Sequence, residues 1–211
     1  MSSKVRRRLQ QGAGFRRRDA AEGEAEGPRV LRGHAAVFGE STVLYRARGW
    51  EVREVIRPGA FRNALAERMD VRALIDHNST LILGRTASGT LRLSEDARGL
   101  AVEIDPPDTQ AARDLLVSID RGDVSQMSFA FVPRKGGEVI TTRMDGDLEV
   151  TTVELIDLDL YDVSAVTYPQ YPGTDIRAGG EAADVVDKVK ADWLAEPGRA
   201  ALFAELERRG A

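Results

Sequence analysis

From Val30 onward the chain runs in short apolar stretches rich in β-branched residues and punctuated by Gly and Pro. VLRGHAAVF, EVREVI and VRALIDH predict strands on that pattern. Between the second and third, Pro58 and Gly59 introduce AFRNALAERM, where Phe61, Leu65 and Met69 recur at fourfold spacing and predict a short amphipathic helix. TLRLSEDARGLAVEI sets Leu91 and Leu93 against Leu100, Val102 and Ile104 around a turn holding Asp96 and Gly99, the pattern of a hairpin. DTQAARDLLVSIDRGD offers Asp108 or Thr109 as N-cap, an apolar face at Ala112, Leu115, Leu116 and Ile119, and Gly122 just past the end, which together predict a helix. Three β-rich runs follow: QMSFAFVP, GEVITT and LEVTTVELIDLDLYDVSAV. The last is long enough to require an internal bend or bulge. Many short strands with two or three helices, and no regular strand-helix alternation, argue against a doubly wound parallel sheet. The expected class is α+β, a mostly antiparallel β-barrel flanked by helices.

Composition divides the chain into three expected parts. Residues 1–27 have few apolar groups and end in AAEGEAEGP, which buries too little surface to offset ordering entropy; they read as a basic, disordered arm. Residues 28–178 form the expected globular domain, closing near TYPQYPGT. Residues 179–211 shift to Ala, Glu, Asp and Arg, with Val185, Val186, Val189 and Trp193 at helical spacing, and read as a helical tail. Seven basic residues precede the first acid, Asp19, so a net charge of -4 overall leaves -11 on the remainder. Such an acidic body disfavours broad nucleic-acid binding outside the basic arm.

The chain has no cysteine, which removes thiolate nucleophiles, disulfides and cysteine-ligated metals from consideration. Only His34 and His77 supply imidazoles, and no HExxH or close His/Asp/Glu cluster accompanies them, so neither a metal site nor a cofactor is expected. Charge interrupts every apolar stretch well short of the roughly 18 residues of a membrane span, and no apolar signal segment follows the basic start. A soluble, intracellular protein is the expectation.

Acyl transfer needs a nucleophile, a base for its proton and a third group that orients the base. His77 ends the apolar strand LIDH, where a rigid scaffold presents reactive groups; His34 is the competing imidazole. Ser128 alternates with Met127, Phe129 and Phe131 and shares a strand face with the small Ala130, which leaves room for a substrate; Ser125 competes with it. Asp162 lies among apolar residues in the last strand, where an ionised carboxylate needs a partner, although Asp157 and Asp159 sit on the same run. For each of these residues an ordinary structural role competes with a catalytic one.

In order along the chain, GHAAVFGE, REVIRPGAFRNAL, LIDHN with LGRTASGTLRL, DARGLAVEIDPPDT, RGDVSQMSFAFVP and LYDVSAVTYPQYPGT cover about Val30 to Thr174. Through them the chain resembles the capsid maturation proteases of tailed phages of the Hong Kong 97 type, distant relatives of herpesvirus assemblin. The resemblance implies an assemblin-like fold and a serine endopeptidase with His77 as catalytic histidine, Ser128 rather than Ser125 as nucleophile, and Asp162 as the acidic third member. It further implies action inside the procapsid, in the host cytoplasm, on major capsid protein and scaffold, followed by self-digestion. A homodimer enters only by analogy with assemblins. Two positions depart from the family's usual pattern: Gln126 stands where Gly often precedes the serine strand, and Asp162 where Glu is common. Backbone amides or an arginine such as Arg134 are the candidates for an oxyanion hole. The rival readings are an inactive protease-fold scaffold or adaptor, a nucleic-acid-binding role for the arm, and a small-molecule esterase or amidase.

Overall fold

A computed structural model of the chain describes residues 6–17 and 30–167. Its strands are β1 (Arg6–Arg17), β2 (Leu31–Val37), β3 (Ser41–Ala47), β4 (Trp50–Ile56), β5 (Arg72–Ile75), β6 (Asn78–Arg85), β7 (Leu91–Glu95), β8 (Gly99–Ile104), β9 (Gln126–Pro133), β10 (Glu138–Asp145), β11 (Leu148–Leu155) and β12 (Leu158–Val166). Two helices interrupt them, α1 (Arg62–Ala66) and α2 (Gln110–Arg121). The strands form an eight-stranded sheet in the order β6-β5-β12-β9-β1-β2-β8-β7 and a four-stranded sheet in the order β10-β11-β4-β3. All pairings are antiparallel except β4 with β11 and β5 with β12.

The class is therefore mostly β with few helices, and the expected barrel is corrected to two open sheets. Closure depends on strand tilt and stagger, quantities that an apolar pattern does not carry. One core joins the sheets: Trp50, Val52, Ile56, Val153 and Leu155 from the smaller sheet with Leu31, Leu100, Met127, Phe129, Phe131 and Leu160 from the larger. Phe61, at the entry to α1, meets Phe129 edge-on at 5.6 Å, and Phe129 stacks on Phe131 at 5.1 Å, so the aromatic centre of the core lies directly beneath β9.

Local chemistry sets several boundaries. Thr109 caps α2 by accepting the Ala112 amide on its hydroxyl, and Gly122 ends the helix in the left-handed region at φ 83°. In the β7–β8 turn one Asp96 oxygen accepts the amides of Arg98 and Gly99. The long run 148–166 breaks at Ile156 and Asp157 into β11 and β12, which belong to different sheets. Within the stretch read as a basic arm, Arg6–Arg17 forms a strand between β2 and β9. A strand inside a sheet is held by main-chain pairing along both edges, which side-chain composition does not report. The expected tail at 179–211 lies outside the described residues.

Candidate active site

β9 presents alternate residues to opposite faces. Met127, Phe129 and Phe131 enter the core, which turns Ser128 and Ala130 to the other side of the sheet. β12 lies beside β9 with Ser164 opposite Ser128 and Asp162 opposite Ala130. The register slips between Leu160 and Asp162, and the extra residue is the half-exposed Tyr161. Before the bulge Leu158 and Leu160 face the core; after it Val163 and Ala165 do. That one inserted residue moves Asp162 from the core face to the face that carries Ser128, a use of a bulge to re-aim a side chain.

His77 arrives from the β5–β6 connection. Ile75 pairs with Asn78, so Asp76 and His77 are the two central residues of a tight hairpin turn, at φ 48° and 54°. Positive φ at both positions is the type I′ requirement, normally met by Asn-Gly, and it costs a residue with a Cβ about 1–2 kcal/mol. Asp76 compensates. Its amide donates to the Ala165 carbonyl at 2.8 Å, and its carboxylate accepts the Thr167 amide at 2.7 Å and the Thr167 hydroxyl at 2.8 Å. The turn is thus tied to the end of β12, and His77 is held over the face bearing Ser128 and Asp162.

There His77 Nε2 lies 2.8 Å from Ser128 Oγ and His77 Nδ1 lies 2.6 Å from Asp162 Oδ1. An ionised carboxylate only accepts, so the Nδ1 proton belongs to the histidine, and Nε2 is left with a lone pair for the Ser128 hydroxyl proton. Ser128 and Asp162 are buried, and the imidazole is largely so. Burial strengthens both contacts, the charge-assisted one to Asp162 above all, by excluding competing water.

The competing candidates are occupied elsewhere. Ser125 is exposed in the loop entering β9. His34 Nε2 pairs with Asp96 at 2.8 Å, away from the serine. This His34 contact, followed by the Gly99 amide, holds the Asp96 carboxyl down at about 2. Asp157 accepts from Asn63, and Asp159 accepts from the Arg134 guanidinium at 2.7 Å. Arg134 also makes a two-pronged bond to Glu67 at 2.6 and 2.7 Å. It follows the end of β9, six residues on from Ser128, and its guanidinium is held by Glu67 and Asp159. Among the described residues no three His, Asp or Glu side chains gather as metal ligands. No helix among them is long and apolar enough to cross a membrane.

Ser164 is the polar residue at this site that the sequence reading missed. Its hydroxyl lies 2.8 Å from Asp162 Oδ1 and 3.2 Å from His77 Nδ1. Two-residue spacing from Asp162 on one strand was the available signal, because it places both side chains on one face.

No curated protein matches the sequence significantly. Among solved structures, the capsid assembly protease of bacteriophage T4 aligns with a TM-score of 0.48 at 8% identity, over 80% of this chain and 100% of that one. The model of the Caudovirus prohead serine protease family matches residues 16–189, a span containing the whole Ser128–His77–Asp162 cluster, and the chain belongs to that family of serine proteases.

Proposed function

We propose that Ser128, His77 and Asp162 are the catalytic triad of this capsid maturation protease. The observation that carries the reading is the unbroken chain from Ser128 Oγ through both ring nitrogens to Asp162, at 2.8 and 2.6 Å. In this reading His77 Nε2 takes the hydroxyl proton as Ser128 Oγ attacks the scissile carbonyl, and the tetrahedral intermediate forms. His77 then returns the proton to the leaving amine, whose departure leaves an acyl-enzyme. A water molecule, deprotonated by the same nitrogen, releases the acyl group and restores the serine. Asp162 keeps the ring in the tautomer and orientation that this sequence needs and stabilises the imidazolium formed in each half-reaction.

The substrates in this proposal are the major capsid and scaffold polypeptides enclosed in the procapsid within the host cell, and the protease chain itself. The test is to follow the wild-type chain and Ser128→Ala by intact mass, alone and mixed with the capsid and scaffold proteins of the same phage. Trimming of partner and enzyme by the wild type alone supports the proposal. Equal trimming by both assigns the chemistry to another nucleophile, and no trimming by either with both partners present favours an inactive assembly adaptor.

A further inference from the structure

Ser164 is fully buried on β12, directly across the strand pairing from Ser128 and two residues from Asp162. Burying a hydroxyl costs free energy unless it is hydrogen-bonded, and an alanine would suit this strand's apolar surroundings. Both contacts of its hydroxyl are with members of the proposed triad. The Asp162 carboxylate has no proton to give, so the 2.8 Å contact is Ser164 Oγ–H donating to Oδ1. With that proton committed, only a lone pair of Oγ faces His77 Nδ1. The Nδ1 proton is therefore forked, with Asp162 Oδ1 as its main acceptor at 2.6 Å and Ser164 Oγ as the weaker one at 3.2 Å.

We infer that Ser164 is a positioning residue for the reaction. It locks the carboxylate in the rotamer that meets Nδ1, and it gives the charged ring of the transition state a second oxygen. The inference rests on the triad reading above. It also gives a physical reason why the short Asp162 suffices as the third member: a hydroxyl two residues along the strand reaches its near oxygen and fixes it beside the ring.

Because this role runs through Asp162, a double-mutant cycle separates it from a packing role. The readout is the first-order rate at which an alkyl fluorophosphonate labels Ser128, followed by intact mass. In that step the serine oxygen bonds to phosphorus, fluoride leaves, and His77 takes the hydroxyl proton. Ser164→Ala is expected to slow labelling about tenfold to a hundredfold, the worth of one hydrogen bond to a charged group. Ser164→Thr, which keeps the donor, should label faster than Ser164→Ala. In an Asp162→Ala background the same Ser164→Ala change should alter the rate by less than about threefold, because the group it positions is gone. Labelling by Ser164→Ala at the wild-type rate, or an equal loss in both backgrounds, overturns the inference. His77→Ala is the control for the underlying reading: if it labels at the wild-type rate, the triad fails, whatever the cycle shows.

Discussion

Asp162→Asn removes one charge from the site and leaves its shape nearly unchanged. In the wild type Asp162 Oδ1 accepts the His77 Nδ1 proton at 2.6 Å, and in the proposed mechanism that bond strengthens as the ring becomes cationic in the transition state. A carboxylate and an imidazolium about 4 Å apart attract by about 4 kcal/mol at an effective dielectric of about 20. The asparagine amide is neutral, and turned end for end it donates to Nδ1 and drives the proton to Nε2, where the ring can no longer accept from Ser128. With each 1.4 kcal/mol worth a factor of ten, a loss of about 3 to 5 kcal/mol corresponds to roughly a hundredfold to several-thousandfold in kcat, at nearly unchanged KM. Trimming of the scaffold or capsid polypeptide, followed by intact mass over a range of substrate concentrations, separates the two constants. Asp162→Asn within threefold of the wild-type kcat, or a loss confined to KM, would mean that the Asp162 charge does not act on the transition state.

Further expectations follow from the supports around the site and the ion pairs away from it. Asp76→Ala frees the Thr167 amide and hydroxyl from the turn that carries His77, so the fluorophosphonate labelling rate should fall about tenfold while the melting temperature drops only a few degrees. Phe129→Ala empties a fully buried site between Phe61 and Phe131 and should cost about 3–5 kcal/mol in urea unfolding. Burial opposes the charge on Glu51, but Arg53 and Arg46 outweigh it and hold the carboxyl below its usual range; Glu51→Ala takes the carboxylate from the part-buried Arg53 guanidinium and should lower the melting temperature measurably. Asp96 is depressed from 3.8 to about 2, so its pairing stabilises the fold fully above the ordinary carboxylate range, and that contribution disappears as pH falls toward 2. Asp96→Asn should therefore flatten acid unfolding between about pH 4 and 2, as followed by circular dichroism.

Where a residue's role is local, the sequence was legible. Thr109 and Gly122 mark α2 because capping chemistry sits within one turn of each end, and QMSFAFVP gives β9 at its observed bounds because a short apolar run, buried on both faces, is closed by Pro133. The helix at AFRNALAERM is shorter than its apolar spacing implies: α1 stops at Ala66, and Arg68 follows at φ 54°, yet Phe61 stays in the core and Met69 packs against it. β3 and β6 went unread because partial exposure and register shifts blur their alternation. The sheet order, which sets β1 between β2 and β9, depends on long-range pairing that no window of sequence contains.

At the site the same distinction holds. The position of His77 at the end of an apolar strand was readable, but its turn was not, because Asp-His lacks the glycine that usually marks two positive-φ residues. Spacing alone left Ser125 and Ser128 open; the core-facing aromatics on either side of Ser128 decide which serine faces the imidazole. The bulge at Tyr161 had a trace in the sequence. Apolar residues fall on even numbers at Leu158 and Leu160 and on odd numbers at Val163 and Ala165, and that change of phase turns Asp162 toward the histidine.

One reagent reports on Ser128 as nucleophile and on His77 as the base that activates it. Treating the protein with an alkyl fluorophosphonate and mapping the adduct by peptide mass tests both halves at once. The expected result is a single adduct on Ser128, formed in the wild type and slowed at least a hundredfold by His77→Ala. An adduct on Ser125, or on Ser128 at the same rate without His77, would contradict it.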